Sequence, residues 1–304
     1  MNGFTWSSER LAPVNGIELA YQEAGDRAAE LMLMIMGLGS QMIGWPDPLC
    51  ELLVERGFRV IRFDNRDSGH STWLREAGVP SLNRTSPGDT DVPYTLDDMA
   101  ADTAGLLDHL GIERAHVTGA SMGGMVAQTL AIRSPERVAS LCSIMSTTGA
   151  PGVGEPTPEA TAVLMTRPPA DVEAYVEFAV RARRVIGSPD LDEDAVRRIA
   201  ALAHERGLNP EGTQRQLGAI IASGDRTDAL GRLAVPTVVV HGERDPLIGS
   251  SGGRATAAAI PGAELVLIPG MGHDQPPSTW PRIADAIEAN ARRAGAAAPL
   301  QSAT

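Results

Sequence analysis

The sequence predicts an α/β protein with a mostly parallel central sheet and helices on both faces. Three observations predict it. Short apolar runs alternate with amphipathic segments along most of the chain, as strand–helix–strand units require. Some runs are apolar at every position, such as LMLMIM at residues 31–36, which suits strands buried on both faces. Residues 149–232 then break the rhythm with a helical block before the alternation resumes.

Residues 14–25 read as a hairpin, with PVNG as the turn and IELAYQEAG as the returning strand. The run 31–36 ends in Gly37-Leu38-Gly39. A helix is expected after Trp45-Pro46, over 47–56, and the next strand over 58–63. DNRDSGHST opens a long polar loop, rich in Pro and Gly, that reaches Pro93. Thr95 suits a helix N-cap, with Asp97 and Asp98 at the positive end of the dipole. Leu96, Met99, Thr103, Leu106, Leu107 and Leu110 share one face of that helix, and Gly111 stops it. Residues 115–118 read as a short strand, 122–133 as a helix and 138–145 as another strand.

In the helical block, GAPGVGEPTPEA is linker-like, while DVEAYVEFAVRARRVI and DEDAVRRIAALAHERG are helical. Alternation returns with PTVVVHGERD and AELVLIPGMGH, and a last helix is expected near 280–293. The expected organisation is a core of residues 1–148 and 233–294, a helical cap of residues 149–232, and a disordered tail of residues 295–304. Ligands of such sheets bind beyond the strand C-termini, so a cap over that edge would roof the pocket.

The formal net charge of −12 argues against a nucleic-acid partner, since phosphate binding needs a positive surface. All 26 basic residues are Arg, which excludes a Lys Schiff base, a Ser-Lys dyad and a P-loop Lys. Cys50 and Cys142, in DPLCELL and ASLCSIM, read as buried reduced thiols, and two isolated cysteines make no zinc site. MNGFTWSSER lacks a basic-then-apolar signal pattern, and AELMLMIMGLG is too short to span a bilayer. A cytoplasmic enzyme acting on a small-molecule ester is expected, with no cofactor, metal or membrane partner.

HVTGASMGGMVAQTLA carries the chemistry. Ser121 lies between an apolar strand and a helix, the context that gives G-x-S-x-G its meaning. So sharp a turn projects the hydroxyl outward, and side chains at 119 and 123 are expected to clash across it. GSSGG repeats the bare motif around Ser251, but four residues and an Asp separate it from the nearest strand, and it reads as a flexible loop before a helix. A serine hydroxyl needs a base. Of the six histidines, His273 follows a strand in a glycine-flanked loop at the same sheet edge; His241, at a strand end, comes before any acid that could serve it. The imidazole needs a carboxylate, and Asp245 in GERDPL is preferred over Glu243. The developing oxyanion needs N–H donors, expected from the backbone of Met122 and Leu38.

Other polar residues read as structural. Asp64, Arg66 and Asp67 pin a turn, and Asp97, Asp98 and Asp102 are helix-end charges rather than metal ligands. The methionines suit either a core or an adaptable apolar pocket; Met42, Met145, Met165 and Met271 are the candidates for the pocket.

MGLGSQMIGWP, RFDNRDSGHST, HVTGASMGG, HGERDPL and IPGMGH, in this order, resemble the α/β-hydrolase superfamily, closest to the actinobacterial aclacinomycin methylesterase type. The resemblance runs over residues 16–293 and is weakest in the cap. It implies a core sheet with a helical cap and hydrolysis of a carboxylic methyl ester on a bulky polyketide. Many relatives have His-Gly at the oxyanion loop; Met36-Gly37 here matches the methylesterase type. A cofactor-free serine hydrolase acting on esters is the leading expectation. The alternatives are a haloperoxidase or perhydrolase-like enzyme, a lactone or C–C bond hydrolase on the same three residues, and a ligand-binding protein keeping them as a relic. A haloalkane dehalogenase is disfavoured because the elbow residue is Ser rather than Asp.

Overall fold

The computed structural model describes residues 4–297. Strands β1 (Arg10–Val14) and β2 (Ile17–Ala24) form the hairpin, whose turn puts Asn15 and Gly16 at positive φ. Next come β3 (Leu31–Ile35), α1 (Asp47–Glu55), β4 (Arg59–Phe63), α2 (Leu96–His109), β5 (Ala115–Ala120), α3 (Met122–Arg133) and β6 (Val138–Ile144). Five helices separate β6 from the next strand: α4 (Pro158–Met165), α5 (Val172–Ile186), α6 (Glu193–Arg206), α7 (Pro210–Ser223) and the short α8 (Thr227–Leu230). The chain closes with β7 (Thr237–Gly242), α9 (Ser251–Ala259), β8 (Glu264–Ile268) and α10 (Trp280–Ala297). Helix α10 thus covers the first part of the expected tail; residues 298–304 lie outside the described residues.

The eight strands form one sheet in the order β1-β2-β4-β3-β5-β6-β7-β8. The pairs β1/β2 and β2/β4 are antiparallel and the rest parallel. The parallel strands β3 and β5 are buried at every position, because helices cover both faces. Strand alternation divides the core. Leu31, Leu33 and Ile35 pack with Leu106 and Leu107 of α2 and Val126 and Leu130 of α3. Met32 and Met34 point to the other face, with Leu49 and Leu53 of α1 and Ile283 and Ile287 of α10. Each fully buried side chain of this size contributes about 1.5–3 kcal/mol. No helix among the described residues is long and apolar enough to cross a membrane.

The turn after β4 holds more than itself. Asp64 accepts the N–H groups of Met42 (2.6 Å) and His70 (3.0 Å), and Asp67 accepts that of Leu74 (2.8 Å). Both carboxylates also reach the helices between β6 and β7: Asp64 pairs with Arg206 of α6, and Asp67 with Arg215 of α7 at 2.7 Å. Arg215 and Asp67 are fully buried. Burial raises the Asp67 carboxyl, but hydrogen bonds from Arg215, Leu74 N–H and Tyr94 OH outweigh it and hold it below the usual carboxylate range. The loop leading to α2 braces α7 as well, through Arg215 to Gly78 O (3.1 Å) and Gly88 N–H to Ala222 O (2.8 Å).

At the start of α2, Thr95 is the N-cap as expected, and Asp98 completes a capping box, accepting from Thr95 N–H at 2.7 Å and from its hydroxyl at 2.9 Å. One expectation for α2 changes. Asp102 is not a helix-end charge. It is buried against Arg66 (2.6 Å) and Asn15 (3.0 Å), tying the hairpin turn to the turn after β4.

Arg215→Met is expected to cost about 3–5 kcal/mol, because it strands the buried Asp67 charge without a cation. Urea unfolding checks this; a wild-type midpoint would remove the pair from the stabilising set.

Candidate functional site

Ser121 occupies the junction of β5 and α3 with φ 56° and ψ −122°, a conformation that L residues rarely adopt. The crowding that enforces it differs in part from the sequence expectation. A Cβ at position 119 would lie 2.1 Å from Gly123 O, so α3 does crowd that glycine. A Cβ at 123 would lie 2.0 Å from Ile35 O, so Gly123 clears the end of β3 rather than residue 119. Although Ser121 stands at the N-cap of α3, its side chain makes no capping bond. Its Oγ is instead 3.1 Å from His273 Nε2.

His273 follows β8 and Asp245 follows β7, so both emerge at the same sheet edge as Ser121. His273 Nδ1 lies 2.7 Å from Asp245 Oδ2. The other carboxylate oxygen of Asp245 accepts Leu247 N–H and Ile248 N–H at 2.9 Å each, which fixes its plane. Glu243, the local competitor, is exposed. The remaining histidines bond elsewhere: His70 to Glu9, His116 to Ser140, His204 to Ala170 O, while His109 lies against the Tyr21 ring.

His241 does come to the site, from behind. Its Nε2 donates to Ile248 O at 2.8 Å and lies 3.5 Å from Asp245 Oδ2. Its Nδ1 is buried without a partner. A Cβ at position 253 would lie 2.5 Å from that nitrogen, so the second G-x-S-x-G match has a packing role. Ser251 is the first residue of α9, not part of a loop before it, and its Oγ accepts Gly154 N–H at 2.9 Å.

The loop after β3 reaches Ser121 closely: a Cβ at Gly37 would be 3.1 Å from Ser121 Cβ. Among the described residues, Leu38 N–H and Met122 N–H have no hydrogen-bond acceptor. The loop is held on both sides. Asn65 Nδ2 donates to Met36 O at 2.9 Å, and Gly39 N–H donates to the buried Gln216 of α7 at 2.8 Å. Sequence reasoning missed both. Gln216 has no local signal, since it acts on a residue 177 positions away.

The four pocket candidates separate. Met42, Met145 and Met271 are buried, and Met145 and Met271 share an apolar cluster with Met36. Met145 also has positive φ, at 42°, one residue past Ile144, whose carbonyl accepts Ser121 N–H at 2.9 Å. Met165 is 55% exposed on α4, which removes it from any enclosed wall. Met42 is fully buried beside Asp64, a core position.

A family model described as alpha/beta hydrolase fold matches residues 30–190. The chain is 30% identical to rhodomycin D methylesterase of Streptomyces peucetius, over 94% of this chain and 98% of that protein. It is 28% identical to a 2-hydroxy-6-oxononadienedioate/2-hydroxy-6-oxononatrienedioate hydrolase of Paraburkholderia xenovorans, over 84% of each. The fold is similar to that of a meta-cleavage product hydrolase from Pseudomonas fluorescens, with TM-score 0.73 at 21% identity, covering 94% of this chain and 98% of that one.

The buried His241 yields a pH expectation. Burial pushes its pKa below the ordinary 6.5, ahead of the opposing bond to Ile248 O and the Asp245 charge. A base depressed in the folded state contributes full stability above its unfolded pKa and loses it as pH falls toward the folded value. Urea midpoints measured at about pH 7.5 and 5.5 should therefore fall less for His241→Gln than for wild type. Equal losses would show that this imidazole carries no acid sensitivity.

Proposed function

The chain belongs to the α/β-hydrolase family, and from that premise we propose that it is a serine hydrolase cleaving carboxylic esters through an acyl-enzyme on Ser121. The observation that carries the reading is the unbroken sequence of contacts Ser121 Oγ–His273 Nε2 and His273 Nδ1–Asp245 Oδ2, at 3.1 and 2.7 Å, on a serine freed from helix capping.

Each step rests on those atoms. Asp245 holds the proton of His273 on Nδ1, leaving the Nε2 lone pair for the serine proton. Ser121 Oγ attacks the ester carbonyl carbon as Nε2 takes its proton. The carbonyl oxygen becomes an oxyanion, which the free N–H groups of Leu38 and Met122 stabilise. On collapse, the C–O bond to the alcohol breaks and Nε2–H protonates the departing oxygen. Water, deprotonated by the same nitrogen, then attacks the acyl carbon; on collapse the bond to Ser121 Oγ breaks, Nε2–H returns its proton to that oxygen, and the acid leaves. No step requires a cofactor or metal.

The substrate class we propose is an ester with a bulky apolar part, a methyl ester of a polyketide-like metabolite fitting best. Near full-length similarity to a rhodomycin D methylesterase supports this, as do the buried Met145 and Met271 at the strand ends. The helices α4 to α8 act as a cap over residues 149–232 that sets substrate size. Tyr175 and Phe178 of α5, both half-buried, are the side chains through which it would do so.

Ser121→Ala should lower kcat by roughly 10⁴–10⁶ with the fold intact, and Ser251→Ala should be nearly silent. A fluorophosphonate should label Ser121. Ester hydrolysis that survives in the Ser121 variant would overturn the assignment. For the cap, Tyr175→Ala or Phe178→Ala should shift kcat/KM between a short and a bulky ester by more than about tenfold, with labelling retained. Unchanged selectivity in both would return substrate choice to the core.

A further inference from the structure

The loop that carries His273 has an unusual set of supports. Its three residues Gly272, His273 and Asp274 are all bound by the C-terminal end of one helix, α5. His273 N–H donates to Ile186 O at 2.7 Å, and His273 O accepts from Arg183 Nη1 at 2.9 Å. Gly272 N–H donates to Ser188 Oγ at 2.8 Å. The Ser188 hydroxyl donates a hydrogen bond to Asp274 Oδ1, and its N–H reaches both oxygens of that carboxylate at 3.0 Å. Ser188 is buried. The two segments touch through glycines: a Cβ at 272 would lie 2.5 Å from Gly187 O, and one at 187 would lie 2.8 Å from Asp274 Oδ2. The rest of the sheet edge holds His273 by its side chain, through Asp245 and Ser121.

We propose that Ser188 and Asp274 form a clasp through which the helices between β6 and β7 position His273, making the insert part of the reaction machinery and not only a wall of the pocket. The proposal rests on the serine-hydrolase reading above. The chemistry is directional. The Ser188 hydroxyl uses its proton on Asp274 and a lone pair on Gly272 N–H, so one side chain locks both flanks of the histidine. The Asp274 carboxylate, facing the N–H that follows Gly187, also satisfies a donor just past the end of α5. Ser188 and Asp274 touch neither Ser121 nor Asp245 and are positioning residues. Their loss leaves the nucleophile in place but lets the imidazole wander from the line between Oγ and Oδ2. Misplacement of a base by a fraction of an ångström costs rate without costing binding.

The test compares Ser188→Ala and Asp274→Asn with the intact enzyme, with Ser188→Thr as the conservative control. In the first two, the rate of fluorophosphonate labelling of Ser121 and kcat on p-nitrophenyl butyrate should each fall about tenfold or more, with KM within about twofold. Total label per mole should stay at the wild-type level, and Ser188→Thr should recover most of the rate. A merely structural role predicts the reverse: less total label at an unchanged rate per labelled site. That result overturns the clasp. If the wild-type protein takes no label and hydrolyses no ester, the serine-hydrolase reading fails by itself. The clasp is then decided by NMR on the His273 Nδ1 proton. Exchange with water at least about tenfold faster in Ser188→Ala supports it, and unchanged exchange overturns it.

Discussion

At Gly123 the first turn of α3 lies against the carbonyl of Ile35 with no room for a side chain, and the geometry around Ser121 depends on that contact. With the helix pressed onto the end of β3, the chain must turn from strand to helix within one residue, and that residue takes positive φ. Strain of this kind costs about 1–3 kcal/mol and persists only where its surroundings over-determine it. Here they do. Ser121 N–H is taken by Ile144 O of β6, and Ser121 O by the N–H groups of Gly124 and Met125. Two groups remain for acyl transfer to use: the hydroxyl, which faces His273 Nε2 at 3.1 Å, and the N–H of Met122, next along the helix. Gly37 extends the same crowding to the loop after β3, where a Cβ would lie 3.1 Å from Ser121 Cβ.

A second constraint acts on the helices between β6 and β7. They contribute no member of the Ser121–His273–Asp245 set, yet they touch two of the loops around it. Gln216 of α7 holds Gly39, and the end of α5 holds Gly272 to Asp274. These contacts mean something only if the helices are themselves fixed, and the turn after β4 fixes them. Asp64 and Asp67 hold Arg206 and Arg215, and Gln41 donates to the carbonyls of Ala203 and Gly207 at 2.9 Å. A charged turn that reads locally as self-contained is thus a two-sided anchor. Buried pairs of this sort add little net stability over apolar packing, but breaking one is costly, which suits a joint that must keep its register.

The sheet was legible in the sequence because its central strands are short apolar runs buried on both faces, and α2 carries one apolar stripe. Ser121, Asp245 and His273 were legible for a related reason. Each comes directly after a recognisable strand, and parallel strands deliver their C-terminal loops to one edge. Four kinds of feature escaped. Gln216 and Ser188 act on residues distant in sequence, and nothing near them marks the partner. Asp102 looked like a solvated charge on a helix because its partners, Arg66 and Asn15, arrive from two other turns. Met165 looked like pocket lining from its chemistry alone, and only the placement of α4 shows it exposed. GSSGG reads as flexible loop, since the packing of Gly253 against His241 is visible only with the neighbouring strand in place.

The capping pattern explains why a helical insertion here leaves the core undisturbed. In α4, α5, α6 and α7 the residue before the helix caps it with its own side chain: Thr157, Asp171, Asp192 and Asn209. Each such cap contributes about 1 kcal/mol and depends on nothing outside the helix. The insert therefore specifies its own helices. Helix α3 has no side-chain cap and is placed by the sheet. A parallel pair such as β6 and β7 needs a crossover in any case, and it leaves β6 at the edge where Ser121 emerges. Lengthening it with self-capped helices adds little closure entropy, because that term grows only logarithmically with length. The added chain lands on the loops of the site, while the pairing of Leu141 with Thr237 and of Ile144 with Val240 is preserved. An uncapped α3 is the counterpart of that arrangement: the Ser121 side chain makes no capping bond, and its hydroxyl lies 3.1 Å from His273 Nε2.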